Sequence, residues 1–144
     1  MKTKINLFHI KILVLITLMI VLALHKASAQ EESASIAIIP FTLNAPEDMA
    51  YLKSGIQDML ESRLSQDKNI TVISDEMTAQ ALEGIAEPID ESEAREIGQR
   101  LSADFVLIGS LTVFGSSTSL DARLVDVTGA QPTTTFFEQS QKID

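Results

Sequence analysis

Around residues 104–112, Asp-Phe-Val-Leu-Ile-Gly-Ser-Leu-Thr, the spacing of apolar residues along the chain changes its period. Before this stretch dense apolar runs alternate with segments of helical spacing; after it, apolar and polar residues alternate one by one. Phe105, Val106, Leu107 and Ile108 are consecutive, the pattern of a strand covered on both faces, so an inner strand is predicted here. A second dense run, Ile36, Ala37, Ile38, Ile39 and Phe41, is closed by Pro40, which cannot donate to a ladder and belongs near a strand end. Residues 42–44 are expected to leave the sheet. Asn44 and Glu47 then stand at capping-box spacing, with Pro46 tolerated in a first helical turn. On the helix that follows, Met49, Leu52, Ile56, Met59, Leu60 and Leu64 share one face, and Lys53, Gln57, Asp58 and Glu61 fall opposite. Gly55 inside it costs about 1 kcal/mol relative to Ala, which a close approach of the helix backbone to the sheet would explain.

Ile70-Thr71-Val72-Ile73 is a short β-branched strand, and a strand, helix, strand order of this length implies a right-handed crossover between parallel neighbours. Ser74 or Asp75 caps a second helix with Thr78, Ala81, Leu82 and Ile85 on one face and Gly84 near its end. Pro88 breaks the chain. Asp90 and Glu93 repeat the capping-box spacing at the start of a third helix, whose apolar stripe is Ala94, Ile97, Gly98 and Leu101. Asp90, Glu91 and Glu93 at its start and Arg100 in its last turn suit the helix dipole.

After the inner strand, continued by Leu111 and Val113, Gly115-Ser116-Ser117 makes a turn. The return strand alternates Leu120, Ala122 and Leu124 with Asp121 and Arg123, as a half-exposed antiparallel strand does. Asp126 before Thr128-Gly129 reads as a turn former, and residues 133–139 form a last, threonine-rich strand. Phe136 and Phe137 point to opposite faces of it, so one is expected in the core and the other exposed or covered by the tail. The fold class is therefore α/β: a mixed five-stranded sheet with helices packed on it, in the order strand, helix, strand, helix, helix, strand, strand, strand. Dense runs take central places, while the short second strand and the polar fifth take edges. The predicted spatial order is 2-1-3-4-5, with 1, 2 and 3 parallel.

The N-terminus does not belong to this domain. Lys2, Lys4 and Lys11 precede an apolar run over residues 12–24, and Ala27-Ser28-Ala29 supplies the small residues of a signal-peptidase site, so residues 1–29 read as a signal peptide cleaved after Ala29. The run is shorter than the roughly 20 residues of a membrane span, so no span is expected after cleavage. Residues 30–34 are expected to form a mobile acidic leader. Cleavage leaves 115 of the 144 residues, enough for one domain, 35–144. The signal takes four of the 11 basic residues and none of the 20 acidic ones, leaving a formal charge of −13. Such a surface repels phosphate backbones and anionic headgroups, so nucleic acid is not an expected partner.

Catalytic chemistry has little to draw on. Both histidines, His9 and His25, lie in the signal, and the sequence has no cysteine, which removes histidine acid–base work, Ser-His triads, disulfides and a lipid-modified cysteine from the mature chain. Asp75, Glu76, Asp90, Glu91 and Glu93 read as helix caps, and Asp104 as a cap or turn. Gly109-Ser110 lacks the G-x-S-x-G context of a nucleophile elbow, so Gly109 reads as a close-packing or bulge position. No catalytic, cofactor-binding or metal-ligating residue is assigned, and no cofactor is expected.

Several blocks in order resemble the amino-terminal domain of TolB-like proteins and the related curli-secretion and flagellar outer-membrane families of the bacterial envelope. They are Ile36-Ala37-Ile38-Ile39-Pro40-Phe41, Tyr51-Leu52 with Gly55-Ile56 and Leu60, Ile97-Gly98 with Leu101 and Ala103-Asp104, Phe105 through Ser110, and Leu124-Val125-Asp126-Val127 before Thr128-Gly129. Ser102 departs from the family's usual glycine at the end of the helix before the inner strand. The resemblance implies a periplasmic envelope domain, often followed by a propeller or other repeat array, in which case the chain is the N-terminal part of a longer protein. It also implies a non-enzymatic interaction or assembly module whose partner is an envelope protein or its own missing C-terminal region. A periplasmic small-ligand binder and a carboxylate-based, glycosidase-like hydrolase are the alternatives. The expected docking surface is the edge of the last strand, at Thr133, Thr135, Phe136 and Phe137, because it carries few of the charges and prolines that blunt exposed edges.

Mass spectrometry of protein recovered from a bacterial periplasm is expected to give an N-terminus at Gln30, in part cyclised to pyroglutamate. Bulky residues in place of Ala27 and Ala29 should block processing, and an intact Met1 would contradict the assignment.

Overall fold

The protein is described by a computed structural model over residues 33–46 and 49–141. The expected signal peptide, the leader before Ser33, Glu47 and the tail beyond Gln141 lie outside the described residues. The elements run β1 (Ala34–Ile38), β2 (Thr42–Asn44), α1 (Tyr51–Leu64), β3 (Ile70–Val72), α2 (Asp75–Ala81), α3 (Glu91–Leu101), β4 (Phe105–Phe114), β5 (Ser117–Asp126) and β6 (Thr134–Gln141). They build a single mixed sheet in the order β3-β1-β4-β5-β6, with β2 also paired to β4. This is the predicted order, with β1, β3 and β4 parallel and β4, β5 and β6 antiparallel.

β2 was not expected. Residues 42–44 rejoin the sheet, in parallel register with Ser110, Leu111 and Thr112 of β4. Ile38 pairs with Leu107 and Thr42 with Ser110, so β1–β2 carries one residue more than β4 over this interval. The surplus is the bulge at Ile39-Pro40-Phe41, where Pro40, lacking an N–H, interrupts the ladder without stopping the strand. Asn44 is consequently part of β2 and not a helix cap. Helix α1 starts at Tyr51, and its N-cap, Ala50, makes no side-chain hydrogen bond.

Right-handed crossovers put the helices on opposite faces. The step from β1 to β3 through α1 runs one way along the sheet, and the step from β3 to β4 through α2 and α3 runs back across β1. Ile97, Ala94 and Leu101 of α3 join Ala37, Val106, Ile108 and Val125 in one core. Ile56, Leu60 and Leu64 of α1 pack against Ile36, Ile38, Phe41 and Leu107 on the other face.

The α3 face is closely packed. A Cβ on Gly98 would run into the side chains of Val127 and Val106, so the close approach of helix to sheet falls here. Gly55 has nothing within 4 Å of the same position, and the close approach expected of it does not occur. The capping box of α3 is formed, with Glu93 N–H donating to Asp90 Oδ1 at 2.9 Å and Asp90 N–H to Glu93 Oε2 at 3.0 Å. At its other end Ser102 takes the left-handed conformation itself, φ 54°, and Ala103 N–H reaches the Gly98 carbonyl at 2.9 Å. The cap is thus the one a glycine would make, built with a residue that resists it.

Two substitutions test this packing. Ser102→Gly should stabilise the fold by about 1 kcal/mol by relieving the left-handed serine. Gly98→Ala should destabilise it by about 1–3 kcal/mol through overpacking. Urea midpoints at unchanged m are the measurement, and equal midpoints for the two variants would contradict this account.

Candidate functional site

After β4 the described residues make two hairpins and no further helix, so among them α1 alone has to cover its face of a sheet that widens through β5 and β6. It cannot, and no residue of α1 is fully buried. Between α1 and the sheet lies an apolar groove of about 1050 Å³. Leu107, Leu111 and Val113 of β4, Leu120, Ala122 and Leu124 of β5 and Phe136 of β6 make its floor; Tyr51, Leu52, Ile56 and Met59 of α1 make one wall. Among the described residues no Asp, Glu, Lys or Arg lines it.

The floor is held smooth by Gly109. A Cβ there would collide with the ring of Phe41 and the Asp121 carbonyl, so the close-packing role expected of this glycine is met, with the buried Phe41 lying over it. The floor's apolar residues sit on one face because the strand period is two and the register sets Leu111 opposite Leu120 and Ala122 opposite Phe136.

Among the described residues β6 is the outermost strand, paired with β5 alone, and every one of its residues is exposed. Phe136 and Phe137 do point to opposite faces, yet neither enters the core: they remain 54% and 61% exposed. Among the described residues no layer covers either face of the sheet at this edge, and that is why the expected division into one buried and one exposed ring fails. Of the four residues singled out from sequence, only Phe136 lines the groove. Thr135 and Phe137 alternate to the other face, opposite Arg123 and Asp121. Thr133 precedes the strand and donates its hydroxyl to Glu91 Oε2 at 2.8 Å, a carboxylate that also meets Arg123 at 3.5 Å. Ser140 and Gln141, expected in the tail, belong to β6 and pair with Thr118 and Ser117.

A second, smaller hollow of about 340 Å³ lies on the other face, lined in part by Glu87, Asp121 and Arg123. Its acids are exposed, and Glu87 is held by Lys53 at 2.7 Å.

No protein-family model and no curated protein sequence matches the chain. Among solved structures it is similar to the C-terminal domain of LpoB from Salmonella enterica, with a TM-score of 0.56 at 13% identity, over 83% of this chain and 91% of that one. It is also similar to lipoprotein GNA1162 from Neisseria meningitidis, with a TM-score of 0.59 at 19% identity, over 76% of this chain and 81% of that one. TolB from Acinetobacter baumannii aligns with a TM-score of 0.47 at 19% identity, over 77% of this chain and 23% of that one, a score too low to argue from. At such identities the likeness is one of fold. The fold is shared with the LpoB C-terminal domain and GNA1162.

Two carboxylates noted in the sequence hold this fold together at the end of the sheet away from the β4–β5 turn. Asp104 Oδ2 accepts from the backbone N–H and the hydroxyl of Ser35, both at 2.7 Å, while Asp104 N–H donates to the Ser35 carbonyl at 3.0 Å. β1 is thereby latched to the start of β4. Asp126 Oδ1 accepts from Thr128 N–H at 2.8 Å and its hydroxyl at 2.7 Å, and Oδ2 accepts from Gln131 N–H at 2.8 Å, which closes the turn between β5 and β6. The Ser35 hydroxyl and then its N–H lower the pKa of Asp104, against a smaller push upward from burial and from Asp126. The Thr128 hydroxyl, followed by the backbone N–H groups of the turn, lowers that of Asp126, against the opposing effect of burial. Asp126 is the turn former its sequence context implies, whereas Asp104, expected to cap or turn, bonds across the sheet to Ser35, because β1 lies beside its strand in the tertiary fold.

A carboxyl whose pKa is lowered by folding contributes stability that is complete above its unfolded-state value, near 3.8, and is lost as the pH falls through the lowered value. Stability should therefore hold from neutral pH down to about that value and weaken below it. Asp104→Asn should lower the urea midpoint at pH 7 and make the fall in acid shallower; a fall as steep as the parent's would show that the latch is not what titrates.

Proposed function

We propose that the chain is a non-enzymatic, exported module of the bacterial envelope that works by docking to another protein, with the groove floor and β6 as the docking surface and Phe136 as its apolar anchor. The observation that carries this reading is the groove itself, a continuous apolar surface running out to an unpaired strand edge. Exposed apolar patches of this kind are interaction sites, because leaving them in water has no structural return. The edge adds backbone donors and acceptors that a partner strand can use. The expected partner is an envelope protein; a region continuing its own chain would meet the same surface. The fold shared with a lipoprotein agrees with an envelope setting, although this chain has no cysteine to carry a lipid.

A second reading is a periplasmic binder of a small apolar ligand, favoured by the groove's volume, which is of the size that ligand pockets have. The carboxylate-based hydrolase draws less support, since the large groove is lined by no acid among the described residues and the acids of the smaller hollow are exposed.

Photocrosslinking in the producing cells separates these readings. A photoreactive residue in place of Phe136 should give an adduct to a protein, and the same residue in place of Glu76, on α2, should not. Adducts at both positions, or none at Phe136, would overturn the docking reading.

A further inference from the structure

The shape of the groove specifies what kind of element fills it. β4, β5 and β6 form a shelf two strand spacings wide, about 10 Å, which is the diameter of one helix. From Leu107 to Val113 the apolar floor runs about 20 Å, the length of roughly 13 helical residues. The wall facing the shelf is α1, and its side is unusual for a helix in a small domain. Tyr51 is 67% and Met59 43% exposed, and Gly55, one turn from each, has open space where a Cβ would point. A strand or a thin acyl chain would leave this side of α1 uncovered; a second helix lying beside α1 covers Tyr51 and Met59 and comes close over Gly55. Charge narrows the choice further. The chain bears a formal charge of −9, and Glu138 lies two residues along β6 from Phe136, on the groove side.

We infer that the groove receives an amphipathic α-helix of a partner protein, about 13 residues long, with an apolar stripe turned to β4–β6 and lysine or arginine flanking that stripe. This rests on the docking reading and adds the partner's element and chemistry to it. The apolar stripe replaces water on Leu120 and Phe136, and the basic flanks face the acidic surface, which speeds encounter and excludes acidic helices. Gly55 is then a contact position, and its lack of a side chain serves the partner and not the domain's own sheet.

The test uses the exported protein and a labelled 14-residue peptide of leucine and lysine, with leucines at helical spacing. Its comparators are the same residues scrambled, the version with glutamate for lysine, and dodecanoate as an acyl probe. The helical peptide should bind at least tenfold more tightly than the scrambled and glutamate peptides. The double variant Met59→Ser, Phe136→Ser should lose at least tenfold of that affinity with an unchanged melting curve, because both side chains are exposed. Gly55→Leu should melt at a higher temperature and bind more weakly, a split that a purely structural glycine does not produce. Equal binding of the scrambled peptide would reduce the effect to net charge and overturn the inference. Dodecanoate binding that the double variant abolishes, with no preference for the helical peptide, would overturn it in favour of an acyl site. Protein adducts at Phe136 without helix discrimination would sink the helix and leave the docking reading standing; helix discrimination without any protein adduct would do the reverse.

Discussion

A strand-helix-strand crossover in a parallel sheet turns right-handed, and in this chain two successive crossovers run in opposite directions along the sheet. The first sets α1 on one face, and the second sets α2 and α3 on the other. Two hairpins then widen the sheet with β5 and β6 without adding a helix to either face. The unequal cover follows from this order of elements. One face has two helices over its central strands, while the other has a single helix over a sheet too wide for it.

The packing on the two faces differs accordingly. On the α3 side a glycine brings helix backbone against Val106 and Val127, and the apolar stripe of the helix is buried throughout. On the α1 side the glycine lies in the sheet instead, where Gly109 admits the ring of Phe41 and leaves a smooth floor beyond it. Stability is therefore concentrated around α3, β1 and β4, helped by the Asp104–Ser35 latch. The α1 side contributes less to holding the fold and more to what the fold can receive. The groove residues that stay hydrated in the isolated domain, Leu120 and Phe136 among them, gain when a partner covers them.

Much of this was legible in the residues. Four consecutive apolar residues at 105–108 placed β4 inside, the shortness of the 70–73 run and the polarity of the 133–139 run placed their strands at the edges, and the strand order followed. The Asp90–Glu93 box and the stripe Ala94, Ile97, Gly98, Leu101 were found as read, because capping and helical periodicity are local. Non-local facts do not show in a local pattern. Gly55 and Gly98 look alike as glycines within apolar helices, and only the distance of each helix from the sheet tells them apart. Asn44 followed by Glu47 has a cap's spacing, but pairing with Ser110 to Thr112 draws the segment into the sheet instead. The groove had a signal too: six apolar floor positions on β4 and β5 with one helix available to cover them, which is visible only after the helices have been assigned to faces.

The sequence by itself determined what depends on neighbours along the chain: the α/β class, the caps at Ser74 and Asp90, the turns at Asp126 and Gly115, and the acidic character of the surface. Tertiary structure decided what depends on neighbours across it. It set which glycine is a packing contact and which is open, put Phe136 in the groove and Phe137 on the other face without burying either, and left α1 short of covering its side. The reason is that periodicity reports which residues share a face, whereas burial requires a second element to stand opposite that face, and crossover handedness, strand count and register settle where such an element stands.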